Sequence, residues 1–247
     1  MKKIISVLLM LFSSFLLSFC SGPVPASTIT DVSQIQAEIE IYQSLSNQQD
    51  NIVSVILYDK NGKRIGSDAI TIWVNQQKVE YKIIHDISYA LNYYYRIENV
   101  VPKNGQYKLE MQLANGKKFF LGSVPTLKLS NPKKIIANDP ASLDKDFTIH
   151  WSELHDVNML YVYKSLELEN KQDKNVQTFI EEASDTIRIS PDGNYSVKKE
   201  QLSRPHEKLS IMSFKFTAEK TGNLNPLLLK ESTINIDGYH EKRISFK

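Results

Sequence analysis

Apolar and polar residues alternate through most of the chain beyond residue 34. Ile35, Ala37, Ile39 and Ile41 recur at every second position, the period of a strand with one buried face. Ile35, Ile39, Tyr42 and Leu45 would also fit one face of a helix. The strand is preferred because the next run, Val53, Val55 and Leu57, keeps period two and begins with β-branched residues. Asp59-Lys60-Asn61-Gly62 then offers residues that tolerate a hairpin turn. Further strands are expected at 69–74, 78–83, 93–97, 106–113 and 118–124, separated by Asn75-Gln76, Lys103-Asn104-Gly105 and Asn115-Gly116. Short strands with turn signals every 8–12 residues predict a β-sandwich.

A second series follows. Phe147, Ile149 and Trp151 alternate, and 160–163 is a compact apolar run. Strands are expected at 186–189, 195–199, 209–217, 233–236 and 243–246, with Ser190-Pro191-Asp192-Gly193-Asn194 as a turn. Residues 175–183 alone suggest a short helix. Pro125 and Pro132 bracket a short segment, so the expected division is a sandwich over 32–125, a linker at 126–132 and a second sandwich over 133–247. The order FTIHW followed by LYVYK resembles strands B and C of fibronectin type III and other immunoglobulin-like domains, which implies a Trp packed beneath the C strand. The fold class expected is all-β, with two tandem immunoglobulin-like sandwiches.

The N-terminus reads as an export signal. Lys2 and Lys3 precede an apolar run from Ile4 to Phe19, and no basic cluster follows to hold it in a bilayer. Leu17-Ser18-Phe19-Cys20 resembles a bacterial lipoprotein box, although Phe19 is larger than the residue usual there. The resemblance implies cleavage after residue 19 and a lipid attached to Cys20, with 20–31 as a tether. The competing site is Val24-Pro25-Ala26, with cleavage before Ser27 giving a free periplasmic or secreted protein. The single Cys falls where a lipoprotein needs it, which tips the balance towards lipidation. Ser21 stands where Asp would signal inner-membrane retention, so the resemblance implies an outer-membrane lipoprotein. The phrase YKLEMQLANGKKFFLGSVP (107–125) further resembles small envelope lipoproteins of Bacteroidota.

Charge narrows the partners. The chain has 30 Lys+Arg and 28 Asp+Glu among 247 residues. Lys2 and Lys3 supply the whole excess, so the exported body is neutral and gives no reason to expect nucleic acid. One Cys excludes a disulfide framework and any Cys-rich metal site.

No catalytic set, metal site or cofactor is expected. His150 and His155 are five apart, not the four that place two imidazoles on one helix face. A metal-dependent hydrolase on His150, Glu153 and His155 therefore ranks last. Asp139, Asp144 and Asp146 lack the glycine and terminal Glu of a calcium loop. Glu181, Glu182 and Asp185 suit a solvated face. Tyrosine is the enriched type, with 12 in the chain and four of them at 89 and 93–95. A strand there would put Tyr93 and Tyr95 on one face, and Trp73 points away from Ile70, Ile72 and Val74. Trp73, Tyr93 and Tyr95 are thus a candidate binding platform. The leading expectation is a non-catalytic envelope module that contacts protein or mediates adhesion. A carbohydrate-binding module using that platform is the alternative.

Overall fold

The computed structural model describes residues 23–85, 91–169 and 177–247. The signal segment, Cys20 and Tyr89 lie outside these residues. Strands dominate, as the alternation predicts. In chain order they are β1 (Ile35–Gln43), β2 (Asn51–Asp59), β3 (Arg64–Ile65), β4 (Thr71–Val74), β5 (Gln77–Lys78), β6 (Glu80–His85), β7 (Leu91–Glu98), β8 (Gln106–Gln112) and β9 (Lys118–Pro125). Then come β10 (Ile135–Ile136), β11 (Phe147–Trp151), β12 (Val157–Leu168), β13 (Thr178–Glu181), β14 (Asp185–Arg188), β15 (Gly193–Val197), β16 (Ser203–Arg204), β17 (Glu207–Thr221), β18 (Asn223–Leu224) and β19 (Thr233–Ser245).

The helix expected at 175–183 is corrected. Residues 178–181 are strand β13, paired antiparallel with Ser165–Leu168 at the far end of β12. Thr178, Phe179 and Ile180 favour an extended chain, and the overhanging end of β12 supplies the hydrogen-bonding edge. A four-residue helix, α1, lies instead at Lys199–Leu202.

Strands β1, β2, β7 and β6 form one wall of a first sandwich, and β9, β8, β4 and β5 form the other. Ile39, Ile41, Val53, Val55, Ile72, Val74, Leu109 and Met111 fill the space between them, all but closed to solvent. Around β11, β12 and β17 a second core gathers. There Trp151 meets the edge of Phe216 at 5.4 Å and donates through Nε1 to the Ser190 carbonyl at 3.0 Å. The Trp expected beneath a neighbouring strand is buried, and its principal ring partner is on β17.

The two halves share a sheet. Among the described residues the largest sheet has 11 strands, and its path runs β13-β12-β17-β19-β1-β2-β7-β6. The long β17–β19 hairpin leaves the second core and reaches the first. Thr233–Asp237 of β19 pair in parallel with Glu38–Tyr42 of β1. At the hairpin tip, β18 pairs with β9 in the opposite wall. Both unsatisfied edges on that side of the first sandwich are therefore covered by the same hairpin.

The proline-bracketed segment 126–132 is tied down along its length. Gln43, fully buried on β1, donates through Nε2 to the Leu127 carbonyl at 2.9 Å and accepts from the Leu127 amide at 3.2 Å. The Lys128 amide donates to Asp156 at 2.7 Å, and the Ser130 amide to the Leu45 carbonyl at 2.8 Å. Lys220, on β17, bridges the Asp156 carboxylate and the Thr126 carbonyl. Burial pushes the Asp156 carboxyl up, but Lys220 and the Lys128 amide more than offset this and hold it below the usual range.

His240 closes this clamp from β19. It is buried, and its Nε2 meets the Ser130 hydroxyl at 2.9 Å and the Ser130 carbonyl at 3.2 Å. Burial lowers its pKa, partly opposed by the Ser130 carbonyl. A lowered folded pKa means stability that is present above the unfolded value of about 6.5 and lost as pH falls below it. Melting temperature should thus fall as pH drops from 7 towards 5, and His240→Gln should flatten that slope. An unchanged slope in the variant would show that His240 is not its source.

The stretch expected as a tether is partly docked. Val24 donates from its amide to the Arg64 carbonyl at 2.9 Å and bridges Ile65, while Ala26, Ile29 and Val32 are buried. Asp31 and Gln34 form a capping box around the turn at Val32–Gln34. The apolar residues of 24–32 are used as packing, which a free tether would leave in water.

Candidate binding face

Trp73, Tyr93 and Tyr95 do not form one platform. Trp73 lies on the outer face of β4, opposite buried Ile72 and Val74, as its phase predicts. Its neighbours across the sheet are Glu110 and then Phe120, and Lys118 sits over its ring at 5.2 Å from the centroid. With Gln76 and Phe119 they line a shallow recess of about 360 Å³. Tyr95 belongs to the other wall and to the core, only 1% exposed. Its hydroxyl donates to the Ser67 carbonyl at 2.8 Å, and burial drives its pKa far above the ordinary phenol value. The exposed role expected of Tyr95 is therefore corrected. Tyr93 is half-buried on the same face of the β6–β7 ladder, opposite Ile83, while Tyr81 opposite Tyr95 stacks obliquely on it at 5.3 Å. Three consecutive tyrosines carry no alternation, so nothing in the local sequence says which face is the core.

Several of the other sequence candidates are occupied by structural bonds. Glu153 pairs with Lys134 at 2.7 Å, and His150 and His155 are exposed on either side of buried Trp151 and Leu154. Asp146 accepts from Lys198 at 2.7 Å and from the Lys199 amide at 3.0 Å. Asp139 accepts from the Ser245 amide, Glu182 pairs with Arg204, and Asp185 binds Lys164 and the Tyr195 hydroxyl. Among the described residues no group of three His, Cys, Asp or Glu side chains is placed to hold a metal ion.

A second recess was not anticipated. It lies on the outer face of the shared sheet, where β12, β17, β19 and β1 run side by side. Along β17, Met212, Phe214, Phe216 and Ala218 point inward, so Lys215, Thr217 and Glu219 point out. On β19, Ile234, Ile236 and Gly238 point inward, so Asn235, Asp237 and Tyr239 point out. The register sets Tyr161 beside Lys215, Glu219 beside Asp237, and Asn235 beside Glu40. These residues and Tyr163 line a recess of about 330 Å³.

Its chemistry is aromatic and acidic. Tyr163 is 41% exposed. Lys215 lies over the Tyr239 ring, 4.3 Å from the centroid, and Tyr42 packs against the same ring at 5.8 Å. Three carboxylates, Glu40, Glu219 and Asp237, face that single cation. Desolvation raises the Asp237 pKa, Lys215 opposes the rise, and Glu219 and Glu40 add to it. Among the described residues, Thr217 Oγ1 is the one buried side-chain polar atom without a hydrogen-bond partner.

The signal for this face was partly present. Tyr161 and Tyr163 alternate with Leu160 and Val162, and the outward phase of 209–217 was readable. What was not readable is that β19 pairs with β1, because the partners lie about two hundred residues apart.

Fold and recess together describe an all-β sandwich protein with a solvent-facing recess lined by tyrosines and carboxylates. No family model matches the sequence, and no curated protein matches it. Similarity to solved structures is weak. One, a cytokine receptor complex, is 12% identical with a TM-score of 0.33, covering 85% of this chain and 95% of that one. Another, SGBP-B of a Bacteroides ovatus mixed-linkage glucan utilization locus in complex with a mixed-linkage heptasaccharide, is 13% identical with a TM-score of 0.23. That match covers 89% of this chain and 44% of the other. The Escherichia coli alpha-2-macroglobulin matches at 9% identity and a TM-score of 0.24, and this chain spans 14% of its length. Among the described residues no helix is long and apolar enough to cross a membrane.

Proposed function

We propose that this chain is an exported envelope lipoprotein that works without catalysis, binding a basic segment of a partner protein through the acidic tyrosine-lined face at the seam of its two halves. The observation that carries the binding role is the recess itself. Glu40, Glu219 and Asp237 outnumber Lys215, and Tyr161 and Tyr163 offer ring faces beside them. A Lys or Arg entering there gains both ion pairing and a ring contact of the kind Lys215 already makes with Tyr239.

Anchoring through Cys20 is supported by the docking of 24–34. Cleavage after Ala26 would remove the Val24 bridge to Ile65 and a buried alanine, whereas cleavage before Cys20 keeps both. Ser21, standing where Asp would signal inner-membrane retention, supports an anchor at the outer membrane.

The test is a photo-crosslinking residue at Tyr163 in growing cells, with Lys199 on α1 as the control position. A discrete protein adduct at 163 that disappears in Glu219→Lys is the expected result. No adduct, or one unaffected by Glu219→Lys, would overturn the reading. Asp237 adds a pH signature. Its raised folded pKa means stability that is full below the unfolded value of about 3.9 and lost as pH rises through the folded one. Asp237→Asn should therefore melt higher at neutral pH while binding the partner more weakly. A variant that melts lower would show that the carboxylate is structurally required.

A glycan is the second reading, favoured by the combination of Tyr rings with carboxylate and amide groups suited to sugar hydroxyls. Binding on a glycan array that is lost in Tyr163→Ala would replace the protein partner with a sugar.

A further inference from the structure

One stretch of β19 is unpaired on the side away from β17. The Gly222 amide donates to the Ile234 carbonyl and the Phe246 amide to the Ser210 carbonyl, each at 2.9 Å. Between these two bonds the β17–β19 register runs without a shift. Even-numbered residues of β19 therefore turn their N–H and C=O to β17, and odd-numbered residues turn theirs to the other side. Ser245 follows this rule. Its carbonyl accepts from the Ala141 amide at 2.8 Å, and its amide donates to Asp139 at 3.2 Å. At the other end, β1 covers β19 as far as Asp237.

Glu241 and Arg243 fall between those covered stretches. Among the described residues, neither has a backbone partner on this side. The segment that carries β10 faces them. Its Ile136 and Ala137 enclose, with Glu241 and Lys242, a recess of about 480 Å³. Ile136 is 62% exposed, more than any other large apolar side chain among the described residues. An open strand edge opposed by an apolar wall suits a single extended segment. A second copy of the sheet needs open space beyond the edge, which this wall takes. Antiparallel self-pairing about Lys242 would also set that lysine against itself. Laid antiparallel, three residues of an entering segment satisfy both N–H and both C=O groups of Glu241 and Arg243.

Charge selects the segment. Lys133 and Lys242 line the recess and exposed Arg243 stands next along the edge, against the one lining carboxylate, Glu241. None of these three cations has an ion-pair partner among the described residues. Neighbouring Lys134 is held by Glu153, and Asp139 is engaged by the Ser245 amide. Carboxylates opposite Lys242 and Arg243 add favourable cross-strand pairs, and an apolar side chain covers Ile136.

We infer that the open edge of β19 at 241–243 receives an extended segment of a partner protein, acidic and apolar in composition, which pairs with it as an added strand. The contact is separate from the seam recess and stands whatever occupies that recess. Glu219 and Asp237 face outward from the sheet, whereas this edge looks along it.

The probe is an acetylated, amidated heptapeptide of Thr, Val and Glu. A version with Lys for Glu and a version with N-methylated amides are the controls. Amide hydrogen exchange of the mature protein is read residue by residue by NMR. In the free protein, the Glu241 and Arg243 amides should exchange about tenfold faster or more than those of Lys242 and Ile244. The acidic peptide should slow Glu241 and Arg243 by about tenfold or more, leaving Lys242 unchanged. Arg243→Pro removes a donor that β17 does not use, and should weaken peptide binding by about tenfold or more. The N-methylated peptide should fail to bind, and it tests the same bonds without altering the protein should the proline disturb the fold. Protection at 241 and 243 before any peptide is added means that the edge is already covered, which overturns the inference. So does a failure of the acidic peptide to bind, binding that leaves those two amides unchanged, or a Lys version that binds as tightly. A dimer in sedimentation with both amides protected assigns the edge to a second copy and overturns it as well.

Discussion

Gly238→Ala is expected to destabilise the protein by about 3 kcal/mol or more, a large share of the stability of an ordinary domain. A Cβ at Gly238 would lie 2.1 Å from the Gln43 carbonyl oxygen, with Leu127 Cδ1 at 3.0 Å and Leu45 Cδ2 at 3.1 Å. The first of these is backbone, in the last row of the β1–β2 ladder, and cannot rotate aside as a side chain can. Relief requires β19 to move off β1, which opens the junction between the halves. Gly222 repeats the arrangement in the opposite wall, where a Cβ would meet the Ser123 carbonyl at 2.3 Å. The hairpin thus touches each wall of the first sandwich at a glycine, where backbone meets backbone. Urea denaturation of Gly238→Ala beside the exposed-site control Glu241→Ala measures the effect. The control should shift stability by less than roughly 0.5 kcal/mol, and a Gly238→Ala protein as stable as that control would contradict the packing described here.

Gln43→Leu is the second large effect, expected to cost about 3 kcal/mol although Leu nearly matches the volume. The Gln43 amide acts as a surrogate strand, donating to the Leu127 carbonyl and accepting from the Leu127 amide, with the Tyr107 hydroxyl donating to the same oxygen at 3.4 Å. Leucine leaves the Leu127 amide buried without an acceptor. The carbonyl keeps Gln48 Nε2 at 3.2 Å, and the Tyr107 hydroxyl keeps the Gln48 carbonyl at 3.3 Å, so the loss concentrates on one orphaned donor and the freed segment. Hydrogen exchange should show the Leu127 and Ser130 amides losing protection in Gln43→Leu while the β8–β9 ladder keeps its own. Retained protection at 127 would mean that the segment is held by something other than Gln43.

Much of the secondary structure was legible because a strand with one dry face writes its phase directly into the sequence. β1, β2, β4 and β8 each alternate cleanly, and Trp73 was placed outward from the phase of Ile72 and Val74 alone. The errors have physical causes. Residues 178–181 contain helix-tolerant neighbours, and their strand form depends on the overhang of β12, a tertiary partner that propensity does not see. Tyr95 was misplaced because Tyr93, Tyr94 and Tyr95 are alike, and the Ser67 carbonyl that receives its hydroxyl arrives from another part of the chain. The prolines at 125 and 132 suggested a linker between two sandwiches. That the segment between them is bound by Gln43, Asp156 and His240 follows from side chains on β1, in the turn before β12 and on β19.

The seam recess has the same origin. Its residues come from β1, β12, β17 and β19, and they become neighbours only because β19 joins β1. A recess built across such a seam keeps its shape only while the halves stay fixed to one another. Gly238, Gln43 and His240 are therefore positioning residues for Asp237 and Glu219 as well as determinants of stability.

The most direct test of this account is calorimetry of the mature protein. If the β17–β19 hairpin joins the halves into one cooperative body, heating gives a single transition whose calorimetric and van't Hoff enthalpies agree, and Gly238→Ala lowers or splits that transition. Two resolved transitions in the unsubstituted protein, with neither shifted by Gly238→Ala, would contradict it.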